Sequence, residues 1–531
     1  MTIDPNDPDH KLIGRLFTKL ETFRDEWIRM ERIYNTIKDE KLCAKSKKYN
    51  RAYELTPIAR DTVHIKRSIF STSFLINDFA LTISKHGEED EEIARQLRIM
   101  SKYYWEKSDA FIELNKAFLR MLIIPIGVTK NYWDAKKKKN IIAEVNPMDI
   151  AFDDEAENHN DVQVFAYRYR KSAKEIAKII RDDRKIKKKS KRFYNHIKNH
   201  DEFFKLPYDR TTFDPFKRYE IKEIYIKEDG YWLCKSYYED ILMRVARFYD
   251  CPFQWGFTRE QISSVDDSVR EEQQLVYGRS EIEFIEHHVN SMNKIRNQHS
   301  DIVEMSINPP LYVNTKAQVN PANLKKGPGT VIPVKDVQGI LEKRPPSTMV
   351  LHDELSLVEK DIETSSGVAG NQKNVTSTSD RRGLGALAML NSQSSTRLEE
   401  EIVTANNTLM IHLAKSFVKK VWRYADVNLM MAMGIENPLF GEGITEADAE
   451  FAHVVGVNFG SDSKRQEHYA AIMESLQVLG QFQNADQAKV EKLAEKALSI
   501  KLGDEEVLGD IFMSSQPDLV AQAPPTLGGA I

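Results

Sequence analysis

The 531-residue chain is 41% apolar and 29% charged with a net charge of −4, a balance typical of folded proteins that advertises no tight nucleic-acid binder. Its three cysteines, Cys43, Cys234 and Cys251, form no Cys-x-x-Cys pair, so neither a disulfide framework nor a zinc module is indicated and a reducing cytoplasm is the natural place of synthesis. The longest apolar run, around Met121 to Val128, falls far short of the roughly 20 residues that a membrane span needs. The acidic start Met-Thr-Ile-Asp-Pro-Asn-Asp lacks the apolar stretch of a signal peptide, so a soluble, unprocessed protein is expected. The length suits three or four domains, or one elongated subunit of several parts.

Between Leu12 and Ile37, the residues Ile13, Phe17, Leu20, Phe23, Trp27, Met30, Tyr34 and Ile37 step by threes and fours. This spacing predicts one long amphipathic helix. Thr56-Pro57 opens another helix, the acidic stretch Glu88 to Glu92 begins a third that runs to Trp105, and Phe111 to Ile123 forms a fourth. The pattern then changes from threes and fours to twos. Val128–Trp133 and Ile141–Val145 read as a hairpin across the charged tip Asp134-Ala-Lys-Lys-Lys-Lys139. Asn146-Pro-Met-Asp149 leads into Ile150-Ala-Phe, an acidic loop from Asp153 to Asp161, and a strand from Val162. Ser172 with Glu175 matches a capping box that starts a helix. After a basic insert from Arg181 to Lys217, Tyr219–Ile226 and Tyr231–Tyr238 flank Glu228-Asp-Gly, a clear hairpin signal.

Ser280 and Glu283 form a second capping box. Ile282, Ile285, Val289, Met292, Ile295 and Ile302 follow at helical spacing until Pro309-Pro310. The predicted helix has roughly 25 residues and a length close to 40 Å. Short strands and Gly/Pro turns occupy Leu311 to Pro346. A return helix from Ser347 then carries Leu351, Leu355, Val358 and Ile362 to a C-cap at Gly367. A polar loop precedes a further long helix with Leu398, Ile402, Ala405, Leu409, Leu413, Phe417, Val421 and Tyr424. Val454–Phe459 reads as a strand, Gln466–Leu502 as helix and Ser514–Ile531 as a disordered tail.

Several residue patterns raise chemistry without the context to support it. Gly383-Leu-Gly-Ala-Leu-Ala388 follows a polar segment where a dinucleotide site requires a strand. No Gly-Lys dipeptide occurs, so there is no Walker A motif. His196 and His200 lie in a basic segment and lack the Glu of a zincin motif, and the neighbours His287 and His288 point to different faces of one helix. Asp153-Asp-Glu155 lacks the spacing of a calcium loop. No catalytic, cofactor or metal residue is therefore expected.

The order helix, small strand module, return helix, polar loop resembles the stem, clip, stem and tunnel loop of the tailed-bacteriophage portal (head-to-tail connector) proteins of the podovirus type. Gly127-Val-x-Lys-x-Tyr-Trp-Asp134 and Asn146-Pro-Met-Asp149 look like parts of that family's wing. Gly278, Pro310 and Gly327-Pro-Gly-Thr-Val-Ile-Pro333 look like its stem and clip. The basic insert departs from the family pattern.

The resemblance implies an α+β, mainly helical portal fold. Its parts would be a wing at 1–270, a stem helix at 271–306, a clip at 307–346 and a second stem helix at 347–366. A tunnel loop at 367–395, a long helix with a wing strand at 396–465, and a crown and tail at 466–531 would complete it. It further implies a non-enzymatic homo-oligomeric ring, with twelve subunits in the virion at one capsid vertex. Viral double-stranded DNA would pass through that ring during packaging and ejection. The implied partners are the terminase large subunit, a head-to-tail adaptor, and the major capsid and scaffold proteins, with no membrane. Glu283, Glu286 and Lys294 would line the channel, within a stretch from Glu271 to Glu304 that carries seven acids and three bases. Such a surface opposes lasting phosphate attachment. Lys373, Arg381 and Arg382 would touch DNA from the tunnel loop, and Lys316, Lys325 and Lys326 would meet partners at the clip. Two other classes stay open: a metal-dependent nucleic-acid enzyme using acidic clusters, and a monomeric scaffold or adaptor protein.

Overall fold

The computed structural model describes residues 8–48, 51–75, 81–84, 91–153, 155–156, 161–172, 175, 218–238, 241–262, 264, 275–307, 311–313, 340–342, 349–368, 397–441 and 454–457. Residues 1–70 and 81–457 belong to one compact unit. A second unit takes residues 71–80 and 458–531, of which only Ser71–Leu75 are described. The expected helix Gln466–Leu502 and the tail lie outside the described residues. The architecture is mixed α and β.

The single helix expected from Leu12 to Ile37 is two helices, α1 (Pro8–Thr22) and α2 (Arg24–Tyr34). They are separated at Phe23, whose N–H bonds to Leu20 O at 3.1 Å. Their apolar stripes serve different surfaces. α1 buries Ile13, Leu16, Phe17 and Leu20, whereas α2 buries Trp27 and Met30. The ring of Phe23 lies 5.5 Å from Tyr277 and that of Trp27 lies 5.4 Å from it. Ile37 falls beyond the helix and is half exposed, because Thr36 takes a left-handed φ of 51° that ends the periodicity. A short basic helix, α3 (Glu40–Lys48), and an extended segment at 51–56 lead to α4 (Ile58–Leu75).

β1 (Leu81–Ser84), α5 (Glu91–Glu106) and α6 (Ala110–Ile123) precede the first hairpin, β2 (Gly127–Asp134) and β3 (Lys139–Val145). The hairpin register pairs Asp134 with Lys139, as expected from the charged tip. β4 (Ile150–Phe152) and β5 (Val164–Ser172) follow. The Ser172–Glu175 box forms with reciprocal bonds: Ser172 N donates to Glu175 Oε2 at 3.0 Å, and Glu175 N to Ser172 Oγ at 3.4 Å. The helix it was expected to start, and the basic insert 181–217, lie outside the described residues.

β6 (Arg218–Glu228), β7 (Tyr231–Tyr238) and β8 (Ile241–Phe248) complete a five-stranded antiparallel sheet in the order β4-β5-β6-β7-β8. β9 (Phe253–Gly256) returns to pair with β2, giving a second sheet in the order β3-β2-β9. β8 and β9 are strands beyond those expected from the sequence. The two sheets meet through aromatic side chains: Phe152 lies 4.5 Å from Trp255, and Phe253 lies 5.4 Å from Phe165 and from Tyr225 between ring centroids. Such rings combine a large buried area with edge-to-face attraction.

α7 (Glu281–Ile307) has 27 residues. β10 (Leu311–Val313) pairs antiparallel with β11 (Ile340–Glu342), and α8 (Met349–Ser366) returns. α8 ends at Gly367, which has φ 69° and donates its N–H to Glu363 O at 3.0 Å, the C-cap expected from the sequence. Helical residues 397–405 continue through a π turn, Asn406–Met410, into α9 (Ile411–Tyr424). The expected helix Leu398–Tyr424 is thus present with one wide turn. Thr408 Oγ1 sits within that turn, accepting from Phe257 N and donating to Thr404 O. α10 (Val427–Ala432) follows, and β12 (Val454–Val457) pairs antiparallel with β1. No described helix is long and apolar enough to cross a membrane.

Candidate functional site

The site is the pair α7 and α8 together with the elements gathered at its base. The cap of α7 forms as the sequence predicts on one side: Glu283 N donates to Ser280 Oγ at 3.0 Å. The Glu283 carboxylate lies 3.4 Å from Arg279, and burial pushes it above the usual carboxylate range. Gly278, two residues before the cap, permits a close approach. A Cβ there would stand 2.3 Å from Arg259 O, while the Gly278 N–H bonds to Pro125 O at 3.0 Å.

At the first turn of α7, four charged side chains meet in the interior. Lys66 of α4 is fully buried, and its Nζ donates to Glu281 Oε2 at 2.7 Å and to Glu401 Oε1 at 2.8 Å. Arg259 closes the set, with Nη2 3.0 Å from Glu281 Oε2 and 2.6 Å from Glu401 Oε1. Its guanidinium also covers the Phe284 ring at 4.2 Å, a cation–π contact. Two cations matched to two anions make this burial tolerable, because an unpaired charge here would carry a large desolvation penalty. Burial pushes the Glu281 carboxyl up, against the downward pull of Lys66; Glu401 adds to the rise and Arg259 opposes it.

The same base holds the described residues on either side of 369–396. Arg259 Nη2 reaches Ser365 O at 3.4 Å, and Arg397 donates to Thr364 O. The loop cations Lys373, Arg381 and Arg382 lie outside the described residues, as do Lys316, Lys325 and Lys326, the Gly383–Ala388 segment, and His196 with His200.

Along the pair, Met292 of α7 packs against Val358 and Ile362 of α8, with Ile295, Leu355 and Ile58 at the margin. His288 Nε2 lies 3.2 Å from Ser365 Oγ, Arg296 lies 3.6 Å from Glu359, and the rings of His299 and His352 are 5.1 Å apart. These contacts run antiparallel over most of the length of α8. Of the residues expected on the channel, Glu286 stands 3.4 Å from Arg29 of α2, so its charge is matched within the chain, and Lys294 is exposed.

α7 also carries a ladder of backbone acceptors that its sequence pattern does not announce. Asn293, Asn297 and Asp301, spaced i, i+4 and i+8, hold the extended segment before α4. Thr56 N donates to Asn293 Oδ1 at 2.8 Å, Glu54 N to Asn297 Oδ1 at 2.7 Å, and Ala52 N to Asp301 Oδ1 at 2.6 Å. Asn297 Nδ2 donates back to Glu54 O at 3.0 Å. The match is geometric: four helical residues rise about 6 Å, and two extended residues advance about 6.6 Å. One carboxylate counted among the acids of α7 therefore serves as a backbone acceptor.

Asp153 Oδ1 accepts from Glu155 N at 3.3 Å. Among the described residues, no three His, Cys, Asp or Glu side chains gather in a way that would hold a metal ion. The sequence carries one signal for the buried charges. Lys66 falls on the stripe Ala59, Thr62, Val63, Lys66, Phe70, all of them buried, and a cation on an apolar stripe requires a partner. The chain matches no protein-family model and no curated protein.

Proposed function

We propose that this chain is a portal-type channel subunit, which assembles as a ring at a capsid vertex and passes viral double-stranded DNA. One observation carries the reading. A 27-residue helix and an antiparallel return helix flank a β-paired module, and the polar stretch of sequence that follows is bracketed by Thr364 and Arg397, which are bonded to each other at the base. In that reading α7 and α8 are the stem, β10–β11 roots the clip, and residues 367–395 form the tunnel loop. Twelve copies of the 61.3 kDa chain would total about 736 kDa in a closed ring. The far end of α7 supports assembly as well: Val303, Met305 and Ile307 are exposed, Ile307 by 67%, and such apolar surface favours a protein partner.

In the ring, motor and adaptor proteins would dock at the clip, where Lys316, Lys325 and Lys326 stand in the sequence. Lys373, Arg381 and Arg382 would make weak, salt-sensitive phosphate contacts from the loop. The test is packaging. Capsids assembled with their own shell, scaffold and motor proteins should fill with DNA when this chain is supplied and stay empty without it. Deleting Asn314–Lys326 should leave the subunit folded and abolish filling. Heads that fill equally well without the chain would overturn the reading.

A further inference from the structure

We propose that the basic face of α3 docks on the acidic outer face of α8 in a second copy of this chain, joining copies head to tail. α3 is the starting observation, because it buries none of its residues. Cys43 and Ser46 are half-covered, while Lys41, Lys45 and Lys48 are exposed. Those lysines are spaced i, i+4 and i+7, one stripe on the side of the helix away from Cys43 and Ser46. Leu42, 50% exposed, stands at the edge of that stripe.

α8 offers the complement. Its inner side buries Val358 and Ile362. Asp353, Leu357 and Asp361, spaced i, i+4 and i+8, are exposed on its outer side, with exposed Glu354 beside them. Leu357 is 53% exposed, and Lys360, the one Lys or Arg of the helix, is exposed on the same stripe at i+7 from Asp353. Three ammonium groups beside one leucine thus face a net acidic stripe of three carboxylates and Lys360 around another. Each stripe is about 10–12 Å long, so two such helices match in length as well as in sign.

The segment that follows α3 and the helix α8 meet different sides of α7. The extended segment that continues from α3 is bound to Asn293, Asn297 and Asp301. α8 meets α7 through Met292, Arg296 and His299. At 100° per residue the centres of these two sets are roughly 130° apart around the helix. A basic stripe and an acidic stripe on different helices make a heterologous surface, which propagates from copy to copy and closes when the rotation allows. Closure rests on the ring proposed above; the contact itself stands on the two helices.

The experiment measures native mass for the full chain and for two charge reversals, Lys41→Glu/Lys45→Glu/Lys48→Glu and Asp353→Lys/Glu354→Lys/Asp361→Lys. All six positions are exposed, and circular dichroism checks that each variant is folded. Each reversal alone should shift the mass from the assembly to the 61.3 kDa monomer. Combining both in one chain should restore assembly, and so should mixing the two single-flank variants, since alternating copies then match at every contact. Independently, a short bismaleimide should join Leu42→Cys to Leu357→Cys into a ladder of chain multiples on a denaturing gel that the parent protein does not give. If the parent assembles but neither reversal changes its mass, or neither the combined chain nor the mixture restores it, the α3–α8 contact is wrong and the ring stands. A parent that is monomeric at every concentration overturns both.

Discussion

The two ends of α7 solve opposite problems with similar residues. At the base, Glu281 is buried and bound to Lys66 and Arg259, so charge forms part of the interior. Near the far end, Asn297 and Asp301 bind the backbone of another segment, while Val303, Met305 and Ile307 remain exposed. The base is thus specified from within the chain, through α4, the 259 turn and the 397–405 helix. The far end carries apolar side chains that are exposed among the described residues. A helix with this polarity suits a subunit whose base is fixed and whose remaining length meets other copies.

The largest expected effect tests the sealed base. Lys66→Met removes one cation and leaves Glu281 and Glu401 sharing Arg259, which should cost about 3–5 kcal/mol. Chemical denaturation would measure it, and a loss below about 1 kcal/mol would mean that the network is not buried as described. The far end should respond far less. Asn297→Ala deletes both bonds to Glu54 and should cost about 1–2 kcal/mol. Its signature is local: amide exchange at Ala52, Glu54 and Thr56 should accelerate while the sheet amides stay protected. If exchange rises equally across the sheets, the segment is not held independently by α7.

Asp301 sharpens the contrast. Its role here is that of an acceptor for Ala52 N, so Asp301→Asn, which keeps an acceptor, should stay within about 0.5 kcal/mol of the parent, whereas Asp301→Ala should lose about 1 kcal/mol. Equal losses would show that charge rather than geometry matters at this position. The smallest effect is the pH response of Glu283. Burial raises its carboxyl in the folded state, so its contribution is fully present below the unfolded value and is lost as pH rises through the folded one. Glu283→Gln removes that dependence. Its melting temperature relative to the parent should therefore rise between pH 4 and pH 7, by no more than about 1 °C in a unit this large. A relative fall over that range would contradict the direction.

Much of this organisation is legible in the sequence because it depends on local periodicity and turn chemistry. Ser280 with the spacing of Ile282, Ile285, Val289 and Met292 marks α7, and Gly367 marks the end of α8. Asp229-Gly230 sets the β6–β7 hairpin. The break at Phe23 was hidden because the apolar spacing of α1 and α2 runs through it without interruption. β1 has four residues, and its partner β12 is separated from it by more than 350 positions, so nothing local announces the pairing. The base network joins residues 66, 259, 281 and 401 for the same reason. Its one local trace is a lysine on an apolar stripe. The amide ladder on α7 is equally quiet, since Asn293, Asn297 and Asp301 read as an ordinary solvated face until the 51–56 segment is seen against it.

The most direct test of the account is an image of the purified full-length protein by negative-stain microscopy, with its native mass measured on the same sample. A multi-subunit ring with an axial channel, of mass near twelve times 61.3 kDa or a neighbouring multiple, is the predicted result. A compact 61.3 kDa particle at every concentration and salt condition would contradict it.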